Sequence, residues 1–354
     1  MKLRDIILPC AAALLASCTN GTPDTEPLDN YLFVFFSDDT HSLYMATSED
    51  GYTFTAVNDG KPVIAGDTIA EQRGIRDPHI CRGGDGQFYL AMTDLHIFAR
   101  EKGYRDTEWE RPGERYGWGN NRGLVLMKSP DLINWSRTNL RIDSLFPERF
   151  GNIGCAWAPE TTYDPVHDRM MIYFTMRDSI APSDIYYAYT DSAFTTLVTE
   201  PEILFQYPDS GVTVLDADVT AMPDGRWCMA YVAHDGVPGI KIAVSDSISG
   251  PWEYRGEWID FEDGACEAPN VWKRYGEDRW VVMYDVYSIE PHNFGFAETT
   301  DFRTFTDLGH FNDGVMKATN FTSPKHGSVI PISRSERERL QRHWSCRNAA
   351  SSAK

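Results

Sequence analysis

From Asn30 onward the apolar residues fall into short blocks separated by turn residues, without the three-to-four spacing of a helix face. Five blocks are rich in aromatic and apolar residues: "YLFVFF" at 31, "QFYLAM" at 87, "MMIYFTM" at 170, "RWCMAYV" at 226 and "RWVVMYDV" at 279. Each is followed by a second cassette, a small or apolar strand, then Ser or Thr, Asp, and Phe or Trp. The copies are "LYMATSEDGYTF" at 43, "LVLMKSPDLINW" at 124, "IYYAYTDSAF" at 185, "IKIAVSDSISGPW" at 240 and "FGFAETTDFRTF" at 294. Strands at this spacing predict an all-β fold. A unit repeated five times, each copy needing neighbours to bury its faces, predicts a five-bladed β-propeller; a β-sandwich would not require the same cassette five times. The expected domain runs over 30–335, with "KHGSVI" near its end sharing a blade with "YLFVFF" and closing the ring. Helical pattern emerges only in "SERERLQRHW", so residues 334–343 are expected to cap the outer ring, within a helical or disordered tail at 336–354 whose final "NAASSAK" is disordered.

A carboxylate recurs ahead of four of the aromatic blocks. Asp77 stands 11 residues before Phe88, Glu160 11 before Met171, Asp216 11 before Trp227, and Glu267 13 before Trp280. If the segment after each acid is the innermost strand of a blade, all four acids point to the mouth of the central channel. Converging acids repel one another and raise pKa values, a strain that folds keep where chemistry needs it. The plain alternative is four separate turn or cap carboxylates. Asp218 lies two residues from Asp216 and is expected on the same strand face.

The motifs "RDPHI", "AWAPE", "LDADV", "EAPNV" and "KHGSVI" occur in that order, and over almost all of the chain beyond the export segment the sequence resembles glycoside hydrolase family 43. The resemblance implies a five-bladed propeller, no required cofactor, and inverting cleavage of terminal or internal α-L-arabinofuranosyl or β-D-xylosyl linkages. Carried onto matching positions, it implies Asp77 as general base, Glu267 as general acid and Asp216 as the residue that tunes and orients the acid. Inverting hydrolysis needs one carboxylic acid to protonate the leaving oxygen and one carboxylate to activate water, about 6.5–9.5 Å apart. An ionised Asp216 would raise the pKa of Glu267 by like-charge repulsion. One departure is Ala268, where the family usually has Gly; its methyl is expected to narrow the leaving-group side. His326 resembles the histidine near the propeller axis that in some relatives helps hold a calcium ion or ordered water; a satisfied core imidazole is the other reading. Related propeller families act on fructans or phosphorolyse mannosides, and "WAPE" and "KHGSVI" speak against them.

Between Met92 and Gly123 the second repeat carries a long insertion, of a length usually tied to function. Its Trp109, Tyr116 and Trp118 could stack on sugar rings, and Asn120, Asn121 and Arg122 could bond hydroxyls. A wall of this kind implies exo-action. Glu160, Trp157, Trp118, Asn121, Arg122 and His326 form the expected substrate-binding set, with His234 and His292 as weaker members.

The formal net charge of −19 repels phosphate backbones, which argues against nucleic acid and leaves a neutral plant glycan as the expected partner. Residues 1–17 read as an export signal: Lys2 and Arg4 precede "IILPCAAALLA", too short to span a bilayer. "LASC" resembles a bacterial lipobox, which implies cleavage before Cys18, lipid on its thiol, and a tether at 18–29 holding the protein to a membrane, periplasmic or at the cell surface. The remaining cysteines, Cys81, Cys155, Cys228, Cys266 and Cys346, fit no zinc spacing and read as free thiols.

Overall fold

A computed structural model describes residues 26–104 and 111–352. Cys18, the export segment, most of the tether and Trp109 lie outside the described residues. Five sheets, antiparallel except for one short added strand, form a ring, a five-bladed β-propeller.

The first blade receives β1 (Asn30–Phe36), β2 (Leu43–Ser48) and β3 (Thr53–Ala56). The second holds β4 (Ile75–Arg82), β5 (Phe88–Asp94), β6 (Gly123–Ser129) and β7 (Ser136–Arg141). The third holds β8 (Ile153–Asp164), β9 (Arg169–Asp178), β10 (Asp184–Tyr189) and β11 (Glu202–Phe205). The fourth holds β12 (Val214–Ala221), β13 (Trp227–Ala233), β14 (Gly239–Ser245) and β15 (Glu253–Trp258). The fifth holds β16 (Glu267–Lys273), β17 (Trp280–Val286), β18 (Asn293–Thr299), β19 (Phe305–His310) and the short β20 (Asp313–Gly314). The chain then adds β21 (Lys317–Ala318) parallel to β3, and returns as β22 (Lys325–Ile332), antiparallel to β1, as the innermost strand of the first blade. This seam ties the two ends of the domain into one sheet.

The aromatic blocks are the second strands of the blades, and they read as almost unbroken apolar runs because each blade is packed on both sides. Phe88, Leu90 and Met92 of β5 pack toward the first blade, while Tyr89 and Ala91 pack toward the third. Five such clusters, one between each pair of neighbours, make up the core. The Ser/Thr-Asp cassette is a turn lock after the third strand. Asp131 Oδ1 accepts the amides of Ile133 (2.9 Å) and Asn134 (2.8 Å), and Asp301 Oδ1 accepts those of Arg303 (2.9 Å) and Thr304 (2.8 Å).

The C-terminal helix spans Arg334–Ser352, longer than the ten residues its sequence pattern suggests, so most of "NAASSAK" is helical. It lies across the first two blades: Glu336 takes Arg82 in a two-pronged ion pair (2.7 and 3.0 Å), and Leu340 is fully buried.

Candidate active site

The five innermost strands, β4, β8, β12, β16 and β22, share a local device. Each breaks register with its neighbour at a channel bulge, β8 also at a second irregularity between Ile153 and Cys155, and at each channel bulge a non-glycine residue adopts a left-handed backbone: Asp77 (φ 52°), Ala158 (43°), Asp216 (52°), Ala268 (56°) and His326 (20°). The segments that superimpose by this register are Arg76-Asp77-Pro78-His79, Trp157-Ala158-Pro159-Glu160, Leu215-Asp216-Ala217-Asp218, Glu267-Ala268-Pro269-Asn270 and Lys325-His326-Gly327-Ser328. Gly327 is required here, since a Cβ would lie 2.0 Å from the Val34 carbonyl of β1. Five strained residues at one end of a channel mark a site.

The bulge splits the channel-facing side chains into two layers. In the lower layer, one side chain per blade receives a hydrogen bond from the next blade. The amide of Thr161 donates to His79 Nδ1 (3.1 Å), that of Val271 to Asp218 Oδ2 (2.5 Å), that of Val329 to Asn270 Oδ1 (2.8 Å) and that of Ile80 to Ser328 Oγ (2.9 Å). Across the remaining seam, Val219 donates to the hydroxyl oxygen of Tyr173 (2.9 Å), which itself donates to Glu160 Oε2 (2.9 Å). This closed belt satisfies buried backbone groups where the strands converge.

Glu160 therefore lies in the belt, 1% exposed, and does not line the mouth beside the other three acids. The equal offset in sequence misleads because the bulge residue of that blade is Ala158. Asp218 likewise does not share a face with Asp216, since the bulge between them breaks the two-residue alternation. Burial and the neighbouring Asp218 push the Glu160 carboxyl well above its usual range.

The upper layer holds Asp77, Asp216, Glu267, His326 and Lys325. His326 Nδ1 stands 3.3 Å from Asp77 Oδ1 and 4.0 Å from Asp216 Oδ2. Thr93 of β5 donates to Asp77 Oδ2 (2.7 Å), and the Ala268 amide, exposed to the channel by its left-handed turn, donates to Asp216 Oδ2 (3.3 Å). Lys325 Nζ sits between Asp285 Oδ2 (2.9 Å) and Glu267 Oε1 (3.7 Å), while Arg76 is anchored by Asp38 (2.7 Å). The side chain of Glu267 is 29% exposed against 11% for Asp77 and 8% for Asp216, so Glu267 is the most open of the three acids.

The environments separate the acids electrostatically. Burial pushes the Asp77 carboxyl up, but His326, Arg76 and Thr93 overcome it and hold the group below the usual carboxylate range. Burial lifts Glu267, restrained by Lys325, and lifts Asp216 to about 8, with help from Glu267 and Asp77. The expected arrangement had Asp216 ionised and raising Glu267; instead both members of this pair are raised, because Asp216 is the more deeply buried. His326 is opposed by burial but raised to about 9 by its acidic neighbours.

His326 Nδ1 faces Asp77 (3.3 Å) and Asp216 (4.0 Å). Among the described residues the group within reach of one ion is His79, Glu160 and Asp218, whose ligand atoms lie within 4.8 Å of one another. Two carboxylates, one with its pKa raised, and an imidazole poorly match calcium, which takes about six to eight oxygens. No step is derived through an ion.

The long insertion leaves from the mouth, because β5 runs back to that end: Thr93 pairs with Arg76 and Asp94 with Ile75. Its polar residues are occupied by structure. Asn121 is fully buried, donating to the carbonyls of Gly123 (2.9 Å) and Ala156 (2.8 Å) and accepting the Ala156 amide (2.7 Å). Arg122 donates to Asp143 (3.0 Å), and Asn120 to the carbonyls of Gly117 and Arg111. Neither Asn121 nor Arg122 is placed to read a sugar hydroxyl. Trp157, at the register position of Glu267, donates to the Gly119 carbonyl (2.9 Å) and meets the exposed Trp118 edge to face at 6.2 Å. His234 and His292 lie on other mouth loops, following β13 and β17.

Lys325, Asp285, Arg76 and Thr93 escaped the sequence reading. Aligning the repeats on the Pro, Ala or Gly at the third position of each bulge, and not on the acids, brings Arg76, Glu267 and Lys325 to one register.

A family model described as "Probable glycosyl hydrolase domain", related to family 43, matches residues 26–338. The chain belongs to this family. An alpha-L-arabinofuranosidase of Bifidobacterium longum subsp. longum is 28% identical over 170 residues, 45% of this chain and 14% of that protein. A 1,2-beta-oligomannan phosphorylase of Thermoanaerobacter sp. is 30% identical over 113 residues, 30% of this chain and 31% of that protein. The matches thus span under a third of either relative's length. Among solved structures, the endo-arabinase from Bacteroides thetaiotaomicron superimposes with a TM-score of 0.53 at 17% identity, over 76% of this chain and 88% of that one. The GH43 protein BlXynB from Bacillus licheniformis gives 0.50 at 15% identity, over 86% and 55%. These likenesses carry the propeller fold.

Proposed function

We propose that this member of the family is an inverting glycoside hydrolase of plant-type polysaccharides or oligosaccharides, an exo-acting α-L-arabinofuranosidase. The observation that carries the reading is the separation of the acids: Asp77 is held ionised by His326, while the Glu267 and Asp216 pair is held toward protonation. Titratable groups driven apart in this way supply a base and an acid at one pH. Asp77 takes a proton from water as that water attacks the anomeric carbon. Glu267, the most open acid, gives its proton to the leaving oxygen from the opposite face. Asp216 shares the pair's proton and is oriented by the Ala268 amide. His326 keeps Asp77 charged as the water approaches. Such a pair of carboxyl groups operates at about 6.5–9.5 Å separation.

The arabinofuranosidase match supports the choice of sugar; β-D-xylosidase or galactan-active chemistry would use the same acids. The oligomannan phosphorylase match favours a second reading, phosphate as the attacking group, since Arg76, Lys325 and His326 bring positive charge to the mouth. Arg76 and Lys325 are, however, already paired with Asp38 and Asp285. The protein is further proposed to act as an exported lipoprotein anchored through Cys18.

The test is turnover of aryl α-L-arabinofuranosides and aryl β-D-xylosides, with and without inorganic phosphate, by wild type and Glu267→Gln. Phosphate-independent arabinofuranoside hydrolysis abolished in the variant is expected. Phosphate-dependent release would favour the second reading. No turnover, with glycan affinity unchanged in the variant, would make the protein a non-catalytic glycan-binding propeller.

A further inference from the structure

The rim of the fourth blade beside Glu267 gathers exposed apolar side chains. Trp258 is 42% exposed, Phe261 49% and Val237 58%. All three stand at the mouth: Val237 lies in the loop between β13 and β14, Trp258 ends β15 opposite Lys241, and Phe261 follows it on the segment that leads to Glu267. Hydrogen bonds draw these segments together. The amide of Cys266, the residue before Glu267, donates to the carbonyl of Pro238, the residue after Val237 (3.0 Å). Asp260 Oδ2 accepts the Ile240 amide (2.8 Å), and the Phe261 amide donates to the Tyr284 hydroxyl (3.2 Å). A Cβ on Gly239 would lie 2.7 Å from Asp260 Oδ2 and 3.1 Å from the Trp258 ring, so the indole and the Asp260 turn close on one glycine.

Trp258 is also held from beneath. Lys241 Nζ stands 4.0 Å from the centre of its ring, and the lysine is buried. Burying an ammonium is costly unless partners offset it. Here Asp235 Oδ2 takes Nζ (2.5 Å), and the Tyr207 hydroxyl donates to the same oxygen. A single exposed apolar side chain is ordinary; one fixed from below by a buried ion pair is not. The cation orders the indole before any ligand arrives, and ordering in advance lowers the entropic cost of binding. A flat, rigid, exposed indole with a second aromatic ring beyond it offers the apolar faces of sugar rings a stacking surface. Glu257 and Asp263, exposed at its border, accept hydroxyls and repel an anionic chain.

We propose that this rim binds the leaving part of the substrate: a neutral polysaccharide chain lies across Trp258, Phe261 and Val237 while one of its sugars reaches the acids. The inference rests on the reading that Glu267 protonates the leaving oxygen, which puts the departing chain on the side from which the Phe261 segment comes. It deepens that reading by making the chain, and not the released sugar alone, part of what the site recognises.

Calorimetric titration of the Glu267→Gln protein tests it with two pairs of probes. One pair is linear α-1,5-arabinobiose and arabinohexaose; the other is xylobiose and xylohexaose, each bearing one arabinofuranosyl branch. In at least one pair the long probe is expected to bind at least about tenfold more tightly than the short one. Phe261→Ala, which removes an exposed ring, is expected to cut that gain severalfold, and its combination with Trp258→Ala to cancel it. Trp258→Phe, which keeps a ring over Lys241, is expected to retain most of it. No gain with length in either pair, no binding of any probe, or a gain that survives the double substitution would overturn the proposal. If the double variant melts early, Phe261→Ala decides alone, and an undiminished gain there would overturn it. Hydrolysis of aryl arabinofuranosides by the wild type is scored separately: its absence would sink the proposed function while the comparison of long and short probes stands or falls on binding.

Discussion

The two layers of the channel are built from the same five strands and from similar residues, yet they hold charge in opposite ways. In the lower belt, Asp218, His79, Asn270 and Ser328 each spend their polar atoms on a backbone amide of the next blade, and Glu160 is tied to Tyr173. In the upper layer the acids face one another and a few cations. The backbone of Ala268 and the hydroxyl of Thr93 serve the acids there. One channel bulge per strand separates the two. Below it the carboxylates close the ring through hydrogen bonds, and above it they face cations across the channel mouth.

The comparison can be broken by exchanging the consequences of mutation between layers. Glu267→Gln should lower kcat/KM by about 10²–10⁴-fold, the usual weight of a general acid, while unfolding by denaturant stays near wild type. Asp218→Ala should do the reverse. It strips the Val271 amide of its acceptor and His79 of its neighbour, a loss of about 3 kcal/mol in stability by chemical denaturation.

The upper layer should also titrate as a unit. Asp77 is ionised below the usual carboxylate range, and Asp216 loses its proton near 8, so kcat/KM should hold across mildly acidic pH and fall through about pH 8. Removing Lys325 and Asp285 together, as Lys325→Met with Asp285→Asn, takes away the cation that restrains Glu267 along with the weaker opposing acid. The alkaline limb should then move upward in a pH–rate profile. For stability the sign follows from His326, whose pKa rises from 6.5 to about 9 on folding: its contribution is complete below 6.5 and is lost as pH climbs through 9, which thermal melts across that window will show.

The smallest effect concerns Ala268. Its backbone is left-handed, a conformation that glycine adopts most readily, so the methyl matters for the conformation it must adopt as much as for the space it fills. Ala268→Gly should raise stability by about 0.5–1 kcal/mol as relieved strain outweighs the added chain entropy, measured by denaturant titration.

Much of this was legible in the sequence. The five cassettes follow from period-two strands and Asp-locked turns, and local patterns of that kind survive in any copy of the repeat. The offset from an aromatic strand picks out Asp77, Asp216 and Glu267 together with Glu160, and only the resemblance to family 43 separates the three from the fourth. The layer to which an acid belongs could not be read. It depends on which residue of the bulge turns left-handed, and Glu160 and Ala158 differ there by two positions. Asn121 and Arg122 looked like sugar ligands because polar side chains in a long loop carry no sign of whether the loop's own backbone will consume them. Lys325 and Asp285 lie 40 residues apart and meet only when the last strand closes the first blade.

The central claim is that Asp77 and Glu267 act from opposite faces of one sugar. Proton NMR of the first minutes of aryl α-L-arabinofuranoside hydrolysis reads this directly through the anomer released. The account predicts β-L-arabinofuranose as the first product, before mutarotation; first release of the α-anomer would contradict it.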